Sequence, residues 1–286
     1  MQNLSLGSML SSLCPLQKVR NFLMILQQSK TIASNPWIVC QKPNPEARLR
    51  LFCFSYAGGG AVVFRTWSSH MPPEIELCAL QFPGRENRLR ETPLNRMALV
   101  VDTLAQALQS YLDKPFAFFG HSLGGLICFE LAHQLRKAYG RAPKQLFISA
   151  RRAPQIPEPL PPIHQLPGAE FVAEMRRRYN GIPEAILQTP ELLEVMLPML
   201  RADFAIFETY VYAQPEPLPC PIAVFGGQQD QVVCKEDLAA WRKQTRGYFS
   251  MQLFPGGHFY LREAQSALLQ EISQELKLRL RELDGM

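Results

Sequence analysis

No two cysteines form a Cys-x-x-Cys pair, and no uninterrupted apolar run has the ~20 residues that cross a bilayer. The first absence argues against zinc-finger and thioredoxin-type chemistry, the second against a membrane span. Charge of one sign is also in short supply. The net charge is only +5, and no zinc-finger or RNA-binding signature occurs, so nucleic acid is not an expected partner. Residues 1–45 hold no Asp or Glu, while Lys18, Arg20, Lys30 and Lys42 are basic and serines are frequent. That profile fits a transit peptide, a mobile extension, or a start codon placed too far upstream, with Met24 as a later candidate. Residues 1–36 therefore read as an N-terminal extension of unassigned role, in which Val19–Gln28 can form a short helix.

What is present is globular. Hydrophobic residues make up 47% of the 286 and charged residues 19%, enough to bury a large core, and the length suits a single α/β unit. The cysteines number seven, an odd count. Cys53, Cys78 and Cys128 lie in apolar runs and read as reduced core residues, which points to a reducing, cytoplasmic setting.

From Leu49 onward, strands and helices alternate. The expected strands are Leu49–Ser55, Glu76–Phe82, Phe116–Phe119, Gln145–Ser149, Ile222–Phe225 and Phe249–Phe254. The expected helices are Met97–Leu112, Leu123–Ala138, Lys235–Gln244 and Phe259–Leu283. The pattern breaks over residues 153–219, which have prolines crowded at both ends and helical patterns at Glu170–Tyr179 and Pro190–Tyr212 between them. This is a helical insertion bracketed by proline-rich linkers. The alternation implies a mostly parallel sheet covered by helices on both faces, with ligands beyond the carboxyl ends of the strands.

The sharpest local signal is Gly120-His121-Ser122-Leu123-Gly124, a G-x-S-x-G turn between a strand and a helix. Such a turn lifts the serine hydroxyl above the sheet, beside a helix N-terminus that favours developing negative charge. A serine needs a base. Of the five histidines, His258 is the best candidate, since it follows a strand through Gly256-Gly257 and is expected to open the last helix. His121 adjoins the serine, so its ring must point elsewhere; His70 precedes the second strand, His133 lies within the helix after Ser122, and His164 lies in the proline-rich insertion. The acid that orients the base is best supplied by Asp230, just after the strand Ile222–Phe225, with Asp203 as second choice and Asp237 as a helix-terminal charge. Ser122, Asp230 and His258 then run in the hydrolase order. The backbone N–H groups of Leu123 and of Ala57, in Tyr56-Ala57-Gly58-Gly59-Gly60, are the expected oxyanion donors. The same loop lacks the third glycine of a dinucleotide fingerprint and the Gly-Lys-Ser/Thr of a P-loop. No cofactor or metal is expected. Arg85, Arg88 and Arg90, and likewise Arg176, Arg177 and Arg178, read as solvated faces or as a surface for an acidic partner.

Five segments together carry a family resemblance: Leu51–Trp67, Gln81-Phe82-Pro83-Gly84-Arg85-Glu86, the Ser122 turn, Leu200-Arg201-Ala202-Asp203-Phe204 and Gly256-Gly257-His258-Phe259. They resemble the type II (external, editing) thioesterases of nonribosomal peptide and polyketide synthesis, which are similar to the vertebrate medium-chain fatty-acid synthase thioesterase. The resemblance runs from about Trp37 to Leu283. It implies an α/β-hydrolase domain over residues 37–286, with residues 153–219 as a helical lid. It also implies hydrolysis of acyl thioesters on the phosphopantetheine arm of acyl or peptidyl carrier proteins, by a monomer. By the same motifs Ser122 is the nucleophile, His258 the base and Asp230 the acid, with Ala57 and Leu123 as oxyanion donors. Tyr56 departs from the histidine that many members carry there. A general carboxylesterase or lipase would use the same triad, as would an acyltransferase; a non-catalytic receptor or scaffold on this fold is the alternative of another class.

Overall fold

The structure is a computed structural model that describes residues 35–179, 188–213 and 216–285; the helix expected at Val19–Gln28 lies outside them. Seven strands form one sheet: β1 (Ile38–Val39), β2 (Leu49–Phe54), β3 (Ile75–Leu80), β4 (Phe116–His121), β5 (Leu146–Ser149), β6 (Ile222–Gly227) and β7 (Phe249–Phe254). Their spatial order is β1-β3-β2-β4-β5-β6-β7. Only the β1–β3 pair is antiparallel. This is the α/β-hydrolase architecture. The two-residue β1 is too short to leave a periodic signal in the sequence.

The strands are mostly apolar because both faces are covered; among the exceptions, Arg50 and Glu76 stand opposite each other on β2 and β3 and form an ion pair. Alternate side chains of one strand serve opposite faces: Phe52 and Phe54 join one core cluster, Leu51 and Cys53 the other. On the first face lie α1 (Met97–Leu108) and α2 (Leu123–Tyr139), packing through Val100, Leu104, Leu126 and Phe129. On the second lies α6 (Gln265–Asp284), whose Leu268, Ile272, Leu276 and Leu280 recur every fourth residue and so form one stripe. Phe64 and Trp67 extend that cluster.

Between β5 and β6 the chain carries α3 (Gly168–Tyr179) and α4 (Pro190–Glu208), the helices of the expected insertion. Pro190 sits in the first turn of α4, where a missing N–H costs nothing. This helix ends at Glu208, short of the expected Tyr212. After β6, α5 (Lys235–Ala239) tightens into a 3₁₀ stretch over Ala240–Gln244, which was expected to be α-helical.

The strand order reverses at β2. The chain winds outward from β2 to β3, then returns to place β4 on β2's other side. Phe54 pairs with Gly120 in that register, so the loop after β2 and the turn after β4 emerge side by side. A crevice opens at such a switch point, and here it is flanked by the glycine loop and Ser122.

Candidate active site

Ser122 has φ +53° and ψ −115°, a backbone conformation that L residues rarely adopt. Its N–H donates to the Ser149 carbonyl at 2.7 Å, which ties the turn to β5. The flanking glycines are steric necessities. A Cβ on Gly120 would stand 2.2 Å from the Gly124 carbonyl oxygen, and one on Gly124 would stand 2.3 Å from that of Phe54.

His258 reaches the same point from β7 through Gly256, at φ +112°, and Gly257. It does not open the last helix as expected. Residues Phe259–Ala264 form turns closed by short-range bonds such as Tyr260 N–H to the Gly257 carbonyl, and α6 starts only at Gln265. Tyr260 explains the delay, because its ring is buried in the second core cluster and stacks on Phe254. The His258 Nδ1 lies 2.9 Å from Asp230 Oδ2, and its Nε2 lies 3.1 Å from Ser122 Oγ. The other carboxylate oxygen of Asp230 accepts the N–H groups of Val232 (2.7 Å) and Val233 (3.2 Å). A carboxylate can only accept, so Nδ1 carries the proton and the Nε2 lone pair faces the serine hydroxyl. The His258 and Asp230 side chains are almost wholly buried, where such a chain of bonds is electrostatically stronger than in water.

The rival residues have other partners. His121 is buried, with Nδ1 2.8 Å from Ser149 Oγ, which in turn lies 2.6 Å from the Tyr260 hydroxyl. Burial, then the neighbouring His258 and Arg262, push its pKa well below the ordinary histidine value. It is a neutral strut behind the serine. His164 pairs with Glu208, His133 packs on Phe129 within α2, and His70 bonds the Thr66 carbonyl. Asp237 stands 3.5 Å from Arg152. Asp203 is far from idle: it forms a buried ion pair with Arg85 and accepts the N–H of Gly58.

That pair corrects the sequence reading of the first arginine group. Arg85 and Arg88 are buried rather than solvated. Arg85 grips Asp203 and the Gly59 carbonyl. Arg88 bonds the Gln81 carbonyl and Glu91 and lies 4.2 Å over the Trp37 ring. Only Arg90 of the three is exposed. In the second group, Arg177 and Arg178 both pair with Glu174. The one hint of Arg85's burial in the sequence was its place in the Gln81–Glu86 stretch beside Phe82 and Pro83.

In the glycine loop, Gly58 donates to Asp203 and Gly59 to the Tyr56 carbonyl. The N–H groups of Ala57 and Leu123 have no acceptor among the described residues. Ser122, His258 and Ala57 border a cavity of about 470 Å³. Its far wall comes from the insertion: Met175 and Tyr179 of α3 and Met196, Met199, Phe204 and Phe207 of α4. The Tyr179 ring lies 6.0 Å from His258, and burial pushes its hydroxyl up to about 12. A nucleophile, a base held in one tautomer and free N–H donors beside an apolar chamber can support acyl transfer from a chain-like acyl group.

The thioesterase domain family matches this chain over residues 49–276. The chain belongs to the thioesterase family. Among relatives, it is 45% identical over 246 residues to the gramicidin S biosynthesis protein GrsT of Aneurinibacillus migulanus, covering 86% of this chain and 96% of that one. It is 42% identical over 253 residues to a Brevibacillus parabrevis protein named linear gramicidin dehydrogenase LgrE, covering 87% and 96%. The Gly58–Gly60 loop lacks a dinucleotide fingerprint and leads into a short 3₁₀ turn, Ala61–Phe64. Among solved structures, the type II thioesterase BorB from the borrelidin biosynthetic cluster superposes with a TM-score of 0.76 at 34% identity, covering 86% of this chain and 98% of that one.

Proposed function

We propose that this thioesterase-family chain is a type II thioesterase that hydrolyses acyl groups from the phosphopantetheine arm of carrier proteins, and so clears stalled or mis-primed synthases. The observation that carries the reading is the Asp230–His258–Ser122 hydrogen-bond chain opening onto an apolar cavity walled by α3 and α4. GrsT, a gramicidin S biosynthesis protein, and BorB, a type II thioesterase of the borrelidin biosynthetic cluster, support the substrate class.

In the proposed reaction His258 Nε2 takes the Ser122 proton as Oγ attacks the thioester carbonyl. Asp230 stabilises the imidazolium, and the N–H groups of Ala57 and Leu123 hold the oxyanion. The thiol leaves with an acyl-serine ester remaining, and water deprotonated by His258 releases the acid. A thiol with a pKa of about 8.5 leaves readily, so protonating the leaving group matters less than for an amine. The insertion at residues 153–219 acts as a lid over the acyl chain, and the enzyme works as a monomer in the cytoplasm.

The test is a paired steady-state assay on one acyl group presented on a carrier protein, on a small thiol and as a simple ester. A kcat/KM at least tenfold higher on the carrier supports the reading. Equal or better turnover of the simple ester makes this a general esterase with the same triad.

A further inference from the structure

The glycine loop after β2 is held from two sides, and one of those sides belongs to the insertion. Asp203 lies on α4, 145 residues along the chain from Gly58, yet its Oδ2 accepts the Gly58 N–H at 2.7 Å. The same oxygen accepts Arg85 Nη1 at 2.9 Å, and Oδ1 accepts Arg85 Nη2 at 2.7 Å. Arg85 then reaches past the carboxylate to the Gly59 carbonyl at 2.9 Å. Leu200, one turn before Asp203, presses on the same point, since a Cβ on Gly58 would stand 2.7 Å from its Cδ2. Gln81 completes the cradle: Oε1 accepts the Ala61 N–H and Nε2 donates to the Arg85 carbonyl. Gly58 has φ +81°, so the peptide plane between Ala57 and Gly58 depends on what Gly58's N–H binds.

From this geometry we infer that Asp203 and Arg85 are positioning residues for the oxyanion hole. By occupying the N–H of Gly58, Asp203 fixes the peptide that follows Ala57, and so holds in place a cavity-lining residue whose own N–H has no acceptor among the described residues. The acceptor comes from α4, so the hole is complete only while that helix is seated. Departure of α4 strips the loop of Asp203 and Leu200 together and leaves Arg85 without its counter-charge. The seated second half of α4 is thereby part of what supports the oxyanion hole. This inference rests on the acyl-enzyme reaction proposed above. Its physical cost explains why the pair would be kept: a buried ion pair contributes little net stability compared with apolar residues of the same size.

That last point supplies the test. Arg85→Met/Asp203→Leu replaces the pair with apolar side chains and removes the Gly58 acceptor. Asp203→Asn keeps an acceptor for Gly58 but loses the charge. Each variant is measured for thermal midpoint, for kcat and KM on an aryl ester and on the carrier-bound thioester, and for inhibition by an alkyl boronic acid that forms a tetrahedral adduct on Ser122. Binding of the free fatty acid product reports ground-state affinity. We expect the double variant to fold with a midpoint within a few degrees of wild type. Its kcat should fall on the order of 10- to 100-fold, approaching the loss of a whole oxyanion donor. Boronate affinity should weaken in parallel and product affinity change less than twofold. Asp203→Asn should fall between it and wild type. Wild-type kcat and boronate affinity in a folded double variant would reduce the pair to packing and overturn the inference. If the double variant does not fold, unchanged boronate affinity in Asp203→Asn overturns it equally. Failure of the substrate reading is separate, because it would show as wild-type activity on the aryl ester without preference for the carrier thioester.

Discussion

Ser122 holds a backbone conformation that costs a non-glycine residue on the order of 1–3 kcal/mol, and its neighbours are built to impose it. Gly124 is the tightest of them against a second strand, because its missing Cβ is the space the Phe54 carbonyl occupies. Gly124→Ala should therefore lower stability by about 1–3 kcal/mol and abolish hydrolysis; urea unfolding and an ester assay check both, and an unchanged urea midpoint would contradict the steric account. This much was legible in the sequence because the glycine spacing is local and the turn needs it. Asp230 and His258 were legible for a related reason: each follows a strand through glycines. The Arg85–Asp203 pair was not, since residues 118 positions apart leave no periodic trace of their contact. In the sequence Asp203 stands out as a second-choice acid and as part of the Leu200–Phe204 resemblance segment, and its partners, Gly58 and Arg85, emerge from the packing of α4.

Helices and strands were recognised where amphipathic periods run long, as in α2 and α6, and misjudged where a tertiary anchor overrides the pattern. Tyr260 sinks into the core and delays α6 to Gln265, although Phe259 onward reads as helical. The 3₁₀ stretch Ala240–Gln244 is fixed by Trp241, buried with its indole N–H on the Arg151 carbonyl. The insertion shows a gradient within a single element. In α4 the turns before Pro198 are half-buried or exposed, whereas most residues from Met199 to Phe207 are buried in the first core cluster, beside α2 and the glycine loop. Amides between Leu192 and Leu197 should exchange at least tenfold faster than those between Leu200 and Phe207. Hydrogen exchange with mass spectrometry measures this directly, and uniform protection along α4 would argue against a lid hinged on its first half.

The whole molecule carries its chemistry where the strand order reverses, a property of topology that the alternation of elements already implied. Two imidazoles contribute to its pH response. Burial and the nearby Arg136 lower the His133 pKa to about 4, and burial holds His121 well below its ordinary value. The unfolded chain takes up those protons near pH 6.5 while the folded chain resists until lower pH, so the stability these two rings contribute is full above about 6.5 and declines as pH falls towards 4. His133→Gln should flatten that decline in thermal midpoints measured from pH 7 to 4; a parallel curve would show that the ring titrates freely in the fold. The central claim, that Ser122 takes the acyl group from a carrier-bound thioester, is tested most directly by rapid quenching of that reaction followed by intact and peptide mass spectrometry. The account predicts a transient adduct of the acyl mass on the peptide containing Ser122, absent in Ser122→Ala, whose hydrolysis should fall by at least about 10³-fold. Turnover without any adduct on Ser122, or an adduct that persists in Ser122→Ala, would contradict it.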